Sequence, residues 1–252
     1  MRIPYPVFTK RTTENPKWLP VVTSVGAVLL AFLISGIILK LIGANPIKVY
    51  SYFLKASFGS WGAFSDVLVK ATPLLLIGLG CALAFQMRLW NIGAEGQFFI
   101  GAFMATMVVT VPLVNLETTP KALILTLMAV LGMIGGALYA FIPGFLKAKL
   151  NINEIITTLM LNYIAVLWNN YWIFGKWSDA GFQMTRTFPK QAWLPRLADY
   201  AAKVPAFSGM TAHIGILFGL IAALIIYLII YKSKWGYKIT LIGDNVRAAR
   251  YA

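Results

Sequence analysis

The sequence predicts an all-α, polytopic transmembrane helix bundle of about six spans, and three observations carry that prediction. The 252-residue chain is 59% hydrophobic and only 12% charged, with a mean hydropathy of +0.75. A water-soluble chain needs more charge than this to cover its surface. The apolar residues come in uninterrupted blocks, and a helix needs roughly 20 of them to cross the hydrocarbon core of a bilayer. The charged residues flank the blocks instead of interrupting them. A lone helix satisfies its own backbone in lipid, so each block is predicted helical.

The spans follow in chain order. Leu19 to Leu39 carries no charge. Ala71 to Met87 lies between Lys70 and Arg88, and Gly96 to Leu116 between Glu95 and Glu117. Ala122 to Leu146 lies between Lys121 and Lys147, and Ile155 to Gly175 between Glu154 and Lys176. Ile214 to Tyr231 is followed by Lys232 and Lys234. Residues 1–252 thus read as one transmembrane domain. Within it, residues 1–18 form a polar, basic terminus without the short apolar core of a cleavable signal. Residues 44–70 mix Tyr50, Phe53, Phe58, Trp61 and Phe64 with Lys and Ser, which suits an interfacial helix or loop. Residues 176–212, with three prolines, Trp177 and Trp193, read as an extracytoplasmic cap, and residues 236–252 as a cytoplasmic segment.

The formal net charge is +14. Because the charges border apolar blocks, anionic headgroups and topology explain them, and no nucleic-acid motif is present. With the N-terminus in the cytoplasm, Arg2, Lys10, Arg11, Lys17, Arg88, Lys147, Lys149, Lys232, Lys234, Lys238, Arg247 and Arg250 face inward. Cys81, the single cysteine, sits in an apolar run as a small hydrophobe. Gly132 and Gly136 form a GxxxG pair for close helix packing, and Gly78 and Gly80 suggest the same. Pro143-Gly144 is a place for a kink. His213 reads as a structural residue at the outer interface.

Three constellations concentrate polar groups. The first is residues 90–99, Trp90-Asn91-Ile92-Gly93-Ala94-Glu95-Gly96-Gln97-Phe98-Phe99. Two glycines permit an unwound backbone whose freed groups bind a solute. Equally, this is a short turn with Asn91 capping the next helix and Glu95 at its positive end. The second runs from Asn151 to Asn162: Asn151 or Asn153 caps a span, Glu154 complements its dipole, and Thr158 and Asn162 share a face. That face either lines a water-filled path or makes interhelical hydrogen bonds. The third is residues 236–252. Gly243 is expected to stop one element and Asp244 to cap a short helix, with Ala248 and Ala249 slim enough to enter a partner's groove. A basic helix lying on anionic lipid is the alternative. No metal-ligand spacing and no phosphate-binding glycine loop occurs in the sequence, so any ATP must be hydrolysed by another chain.

Taken together, WNIGAEGQFFIGA, NEIITTLMLNYIA and GYKITLIGDNVRAARYA resemble the permease subunits of bacterial ABC importers for simple sugars, branched-chain amino acids and nucleosides. The spelling is most similar to the nucleoside branch paired with basic-membrane-lipoprotein receptors. The resemblance implies a bacterial inner-membrane, multi-pass transport subunit that is not an enzyme and binds no cofactor itself. It implies a second permease subunit, ABC ATPase subunits that use ATP, and an extracytoplasmic solute-binding lipoprotein. It makes Gly243, Asp244, Asn245, Arg247, Ala248, Ala249 and Arg250 the segment that couples to the ATPase. The solute-pathway candidates are Trp90, Asn91, Glu95, Gln97, Phe98, Asn153, Glu154 and Asn162. Family members continue past this motif, so an incomplete permease of a longer pattern is implied. A simple-sugar permease and an ATP-independent carrier or channel are the rival readings. An intramembrane enzyme ranks last, for want of a nucleophile or metal cluster. If the apolar blocks are solvated by lipid, the purified chain will need detergent to stay dispersed, which size-exclusion chromatography with and without micelles checks.

Overall fold

The computed structural model describes residues 18–111, 113–179, 181–245 and 249. The basic residues before Trp18, and Arg247, Ala248 and Arg250 of the coupling segment, lie outside the described residues. The chain divides into two units at Ser60.

The first unit holds α1 (Leu19–Leu41) and α2 (Pro46–Phe58). Not one residue of α1 is buried, and its Val, Leu and Ile side chains are exposed all round. A helix that is apolar on every face belongs in lipid. It ends in a Schellman turn: the Ala44 N–H donates to Leu39 C=O and Gly43 N–H to Lys40 C=O, with Gly43 at φ +84°. Asn45 caps α2 by accepting from the Lys48 N–H, and Pro46 occupies the first helical position. The Tyr50 hydroxyl donates to Phe32 C=O at 2.6 Å, which fastens α2 to α1.

The second unit is a bundle of α3 (Trp61–Gln86), α4 (Ala94–Thr110), α5 (Lys121–Leu150), α6 (Glu154–Phe174), α7 (Gly215–Lys232) and α8 (Lys234–Asp244). A two-stranded hairpin, β1 (Ser178–Asp179) and β2 (Phe182–Thr185), and three one-turn 3₁₀ helices fill the cap. All six predicted spans are helices. Four of these, α1, α3, α5 and α7, are long and apolar enough to cross a membrane alone. α4 falls short at 17 residues, and α6 carries Asn162, Asn169 and Asn170, which lower its hydropathy. α3 begins at Trp61, not Ala71, so Trp61 and Phe64 belong to it and Pro73 lies inside it. α5 runs on through Pro143 and Gly144.

Backbone-to-backbone contact places α4 against α5. A Cβ added at Gly101 would lie 2.9 Å from the Gly132 carbonyl oxygen, and one at Gly136 would lie 3.3 Å from that of Gln97. Lipid gives no hydrophobic drive between helices, so such close approach supplies the packing. Gly78 and Gly80 behave otherwise. Neither has an atom within 4 Å of an added Cβ, because the space beside them is open. At the cap end, Val108 and Ile124 are buried with Ala192 under Phe188. Phe103 stacks on Trp177 with centroids 5.0 Å apart.

Two bolts pair α3 with the segment leading into α7 and with α8. The buried Ser65 hydroxyl accepts from the Ala212 N–H, and Asp66 accepts from the Thr211 hydroxyl, at the cap end. At the other end Gln86 donates to the Thr240 hydroxyl at 3.1 Å, and Arg88 meets Asp244 at 3.0 Å. Gly101→Ala should cost about 1–3 kcal/mol through overpacking, whereas Gly78→Ala should be neutral or stabilising by about 0.5–1 kcal/mol. Thermal unfolding in micelles, followed by tryptophan fluorescence, compares the two.

Candidate functional site

α5 presents one face at steps of three and four residues: Leu125, Met128, Ala129, Gly132, Met133, Gly136, Ala137, Ala140, Pro143, Gly144 and Lys147. Three cavities lie along that face in succession. At the cap end a cavity of about 660 Å³ is bounded by Leu125, Met128 and Ala129 together with Phe188, Trp193, Arg196 and His213. The middle one, about 550 Å³, lies between the α5 glycines and Leu76, Ile77, Gly80 and Cys81 of α3. The third, about 250 Å³, opens at the α8 end between Pro143, Gly144 and Lys147 on one side and Trp90 and Glu154 on the other. At about 1.5 Å per residue, Leu125 to Lys147 covers roughly 33 Å, close to the roughly 30 Å hydrocarbon thickness of a bilayer.

Asn91 and Gln97 stand where the middle and α8-end cavities meet, and both line both. They form a reciprocal amide pair: Asn91 Nδ2 donates to Gln97 Oε1 at 3.0 Å, and Gln97 Nε2 donates to Asn91 Oδ1 at 3.1 Å. The same Asn91 oxygen accepts from the Gly93 N–H. The local sequence dictates this arrangement. α3 ends at Gln86, Arg88 turns the chain at φ +55°, and the Asn91 side chain closes an Asx turn that launches α4 from Gly93. This stretch is therefore a tight turn at the end of a helix. Asn91 lies two residues before the cap position it was expected to hold. Each amide keeps a second N–H for another partner.

The other candidates divide. Phe98 lines the middle cavity and is 44% exposed. Trp90 lines the α8-end cavity, packed on Phe85 at 5.6 Å. Glu154 lines it too, in a 2.9 Å ion pair with Lys147. Glu95, Asn153 and Asn162 line none of the three cavities. Asn153 caps α6, accepting from the Ile155 N–H at 2.9 Å. Asn162 donates to Glu95 at 3.3 Å, and Thr158 accepts from the Ile92 N–H. Cβ atoms at Gly93 and Gly96 would press on Thr158 and Asn162, at 2.7 and 2.9 Å. Thr158 and Asn162 thus join α6 to α4 and to the turn before it, and Thr158 also borders the α8-end cavity. Asn162 Oδ1 is buried without a partner among the described residues.

The coupling segment needs one correction. Gly243 does not stop an element: it lies inside α8, where an added Cβ would sit 2.5 Å from the Gln86 carbonyl oxygen. Close approach to α3 explains this glycine. The break falls at Asn245, which is extended at φ −156°, and Asp244 ends α8. The Asn245 carbonyl accepts from the Ala249 N–H at 3.0 Å.

Sequence reasoning missed the cap-end cavity. Its faint signal is Trp193 and Arg196 three residues apart; the guanidinium lies 4.6 Å above the indole ring. Backbone bonds from Leu197 N–H to Ala212 C=O and from Ile214 N–H to Pro195 C=O set Arg196 beside His213. Burial pushes the His213 imidazole below its ordinary pKa, and the nearby Arg196 charge adds to this.

Four helices long and apolar enough to cross a bilayer define the class of the chain, a multi-pass membrane protein. Residues 63–252 match the family described as "Branched-chain amino acid transport system / permease component", and the chain belongs to that family. It is 34% identical over 242 residues to the glucose ABC transporter permease protein TsgB13 of Haloferax volcanii, covering 94% of this chain and 62% of that protein. It is 30% identical over 248 residues to the nucleoside ABC transporter permease protein NupB of Lactococcus lactis, covering 94% and 65%. To the guanosine ABC transporter permease protein NupP of Bacillus subtilis it is 31% identical over 230 residues, covering 90% and 62%. The chain thus spans less than two thirds of the length of these relatives. No solved structure matches.

His213 gives a pH signature. The Gly215 N–H donates to His213 Nδ1, which requires that nitrogen unprotonated. The unfolded imidazole titrates near its ordinary value of about 6.5, so the unfolded chain takes up the proton first. The stabilisation is full above about pH 6.5 and is lost as pH falls from there through the lower folded value. His213→Gln should flatten that loss in melting curves recorded between about pH 7 and 5.

Proposed function

We propose that this chain is the membrane-spanning permease part of an ATP-driven importer whose solute is a nucleoside. The observation that carries the reading is the succession of three cavities down one face of α5, over roughly a bilayer's thickness. A furrow of small side chains and methionines leaves room for a solute, and the Asn91–Gln97 pair offers it amide donors and acceptors at the inner narrowing. No covalent step is needed. Closure of partner ATPases shifts the permease between outward-facing and inward-facing states, and the solute moves because the two states bind it differently.

The assembly is a second permease subunit, two ABC ATPase chains on the cytoplasmic side and an extracytoplasmic solute-binding lipoprotein, in the cytoplasmic membrane of a bacterium. The N-terminus and α8 lie inside, which puts Arg88, Lys147, Lys149, Lys232, Lys234 and Lys238 on the cytoplasmic side. ATP is hydrolysed on the ATPase chains, and this chain holds no cofactor. The nucleoside assignment draws on NupB and NupP; TsgB13, at 34% identity, favours a simple sugar as the second reading. Tritiated uridine and guanosine against labelled glucose, in cells carrying the assembled transporter, separate the two.

In those cells Asn91→Ala or Gln97→Ala should raise KM about threefold to tenfold, the worth of one hydrogen bond, while Glu95→Gln leaves KM unchanged. Equal effects at all three positions would remove the furrow from the pathway. Ala249→Arg should abolish solute-stimulated ATP hydrolysis with the membrane helices intact; normal stimulation would refute the contact at Ala249.

A further inference from the structure

The cap-end cavity is larger than the middle one and chemically unlike it. One wall is aromatic: Phe188 and Trp193 line it, and the Trp193 indole is held in place by donating to Phe188 C=O at 2.8 Å. The Arg196 guanidinium lies over that indole at 4.6 Å, so a cation and an aromatic ring stand together at the same wall. Thr185, Thr187 and His213 add polar groups to the lining. Because His213 Nδ1 accepts from the Gly215 N–H, the neutral imidazole carries its proton on Nε2. Neither His213 Nε2 nor the Thr187 hydroxyl has a hydrogen-bond partner among the described residues. No carboxylate lines the cavity, while Arg186 and Arg196 both do.

Such a lining fits a flat ring with several acceptor atoms and repels a cation. Its volume falls within the roughly 300–1,000 Å³ of small-molecule sites. We infer that this cavity is an outer binding site for the incoming nucleoside, a station at the head of the α5 furrow. The base lies against the Trp193–Arg196–Phe188 wall, and Thr187 and His213 Nε2–H donate to its ring and ribose oxygen and nitrogen acceptors. This inference rests on the nucleoside-permease reading and adds residues that reading does not contain. A protonated His213 would lose its bond from Gly215 and add positive charge to the wall.

The test uses the complete permease–ATPase complex in nanodiscs, without the solute-binding protein, and tritiated uridine or guanosine as probe. Wild type should bind saturably. Thr187→Val, an isosteric change at an exposed position, should weaken binding about threefold to tenfold with its melting temperature unchanged. Trp193→Ala should weaken it further, and Trp193→Phe should restore most of the affinity. Wild-type affinity in both Thr187→Val and Trp193→Ala would overturn the site, as would absence of saturable binding in a wild-type complex that still takes up nucleosides in vesicles. A wild-type complex that neither binds nor imports nucleosides would instead sink the underlying reading, and the site with it.

Discussion

Backbone touching backbone is the contact on which the second unit depends. Gly101 of α4 faces Gly132 of α5, and the Gln97 carbonyl lies against Gly136. In lipid the apolar side chains gain nothing by leaving their surroundings, so helices associate through shape and polar contacts. Small residues on α5 do two jobs here. Toward α4 they let the helices meet; toward α3 they leave the middle cavity open. Filling either side with a larger side chain would disturb the other.

Polar residues were the less legible part. Their positions in the sequence located the turn at residues 87–93 and the start of α6, but not which partner each side chain would choose. Thr158 and Asn162 share a face with either a solute or a neighbouring helix, and the spacing is the same in both cases. The structure gives Asn162 to α4 through Glu95, and Thr158 both to the turn before α4, through Ile92, and to the border of the α8-end cavity. Asn91 and Gln97, six residues apart, show no pairing in a one-dimensional reading, since the turn between them is what folds one onto the other. The helices themselves were plain because lipid leaves the backbone no alternative. Their ends were less so: α3 starts ten residues before its apolar run, since polar Ser65 and Asp66 find partners in Ala212 and Thr211.

The glycines differ in what surrounds them. Gly132 and Gly136 pack as the GxxxG spacing suggests, but Gly78 and Gly80 face open space, and Gly80 lines the middle cavity. Gly243 looked like a terminator and is a close-contact residue inside α8. A glycine announces that a side chain is unwelcome or unneeded; only the neighbours say which. Trp193, Arg196 and His213 converge through pairing of residues 195–197 with 212–214, a long-range register that local sequence does not encode.

The fastening of α8 to α3 has a mechanical consequence. Gln86–Thr240 and Arg88–Asp244 join the two helices at the end where Gly243 lets them approach, and Leu76, Ile77, Gly80 and Cys81 stand one to three turns further along the same α3 rod. A displacement of α8 therefore arrives at the furrow as a tilt of its wall, carried along a continuous helix with no slack loop to absorb it. Leverage of that kind makes a small push at the rim into a change of width inside.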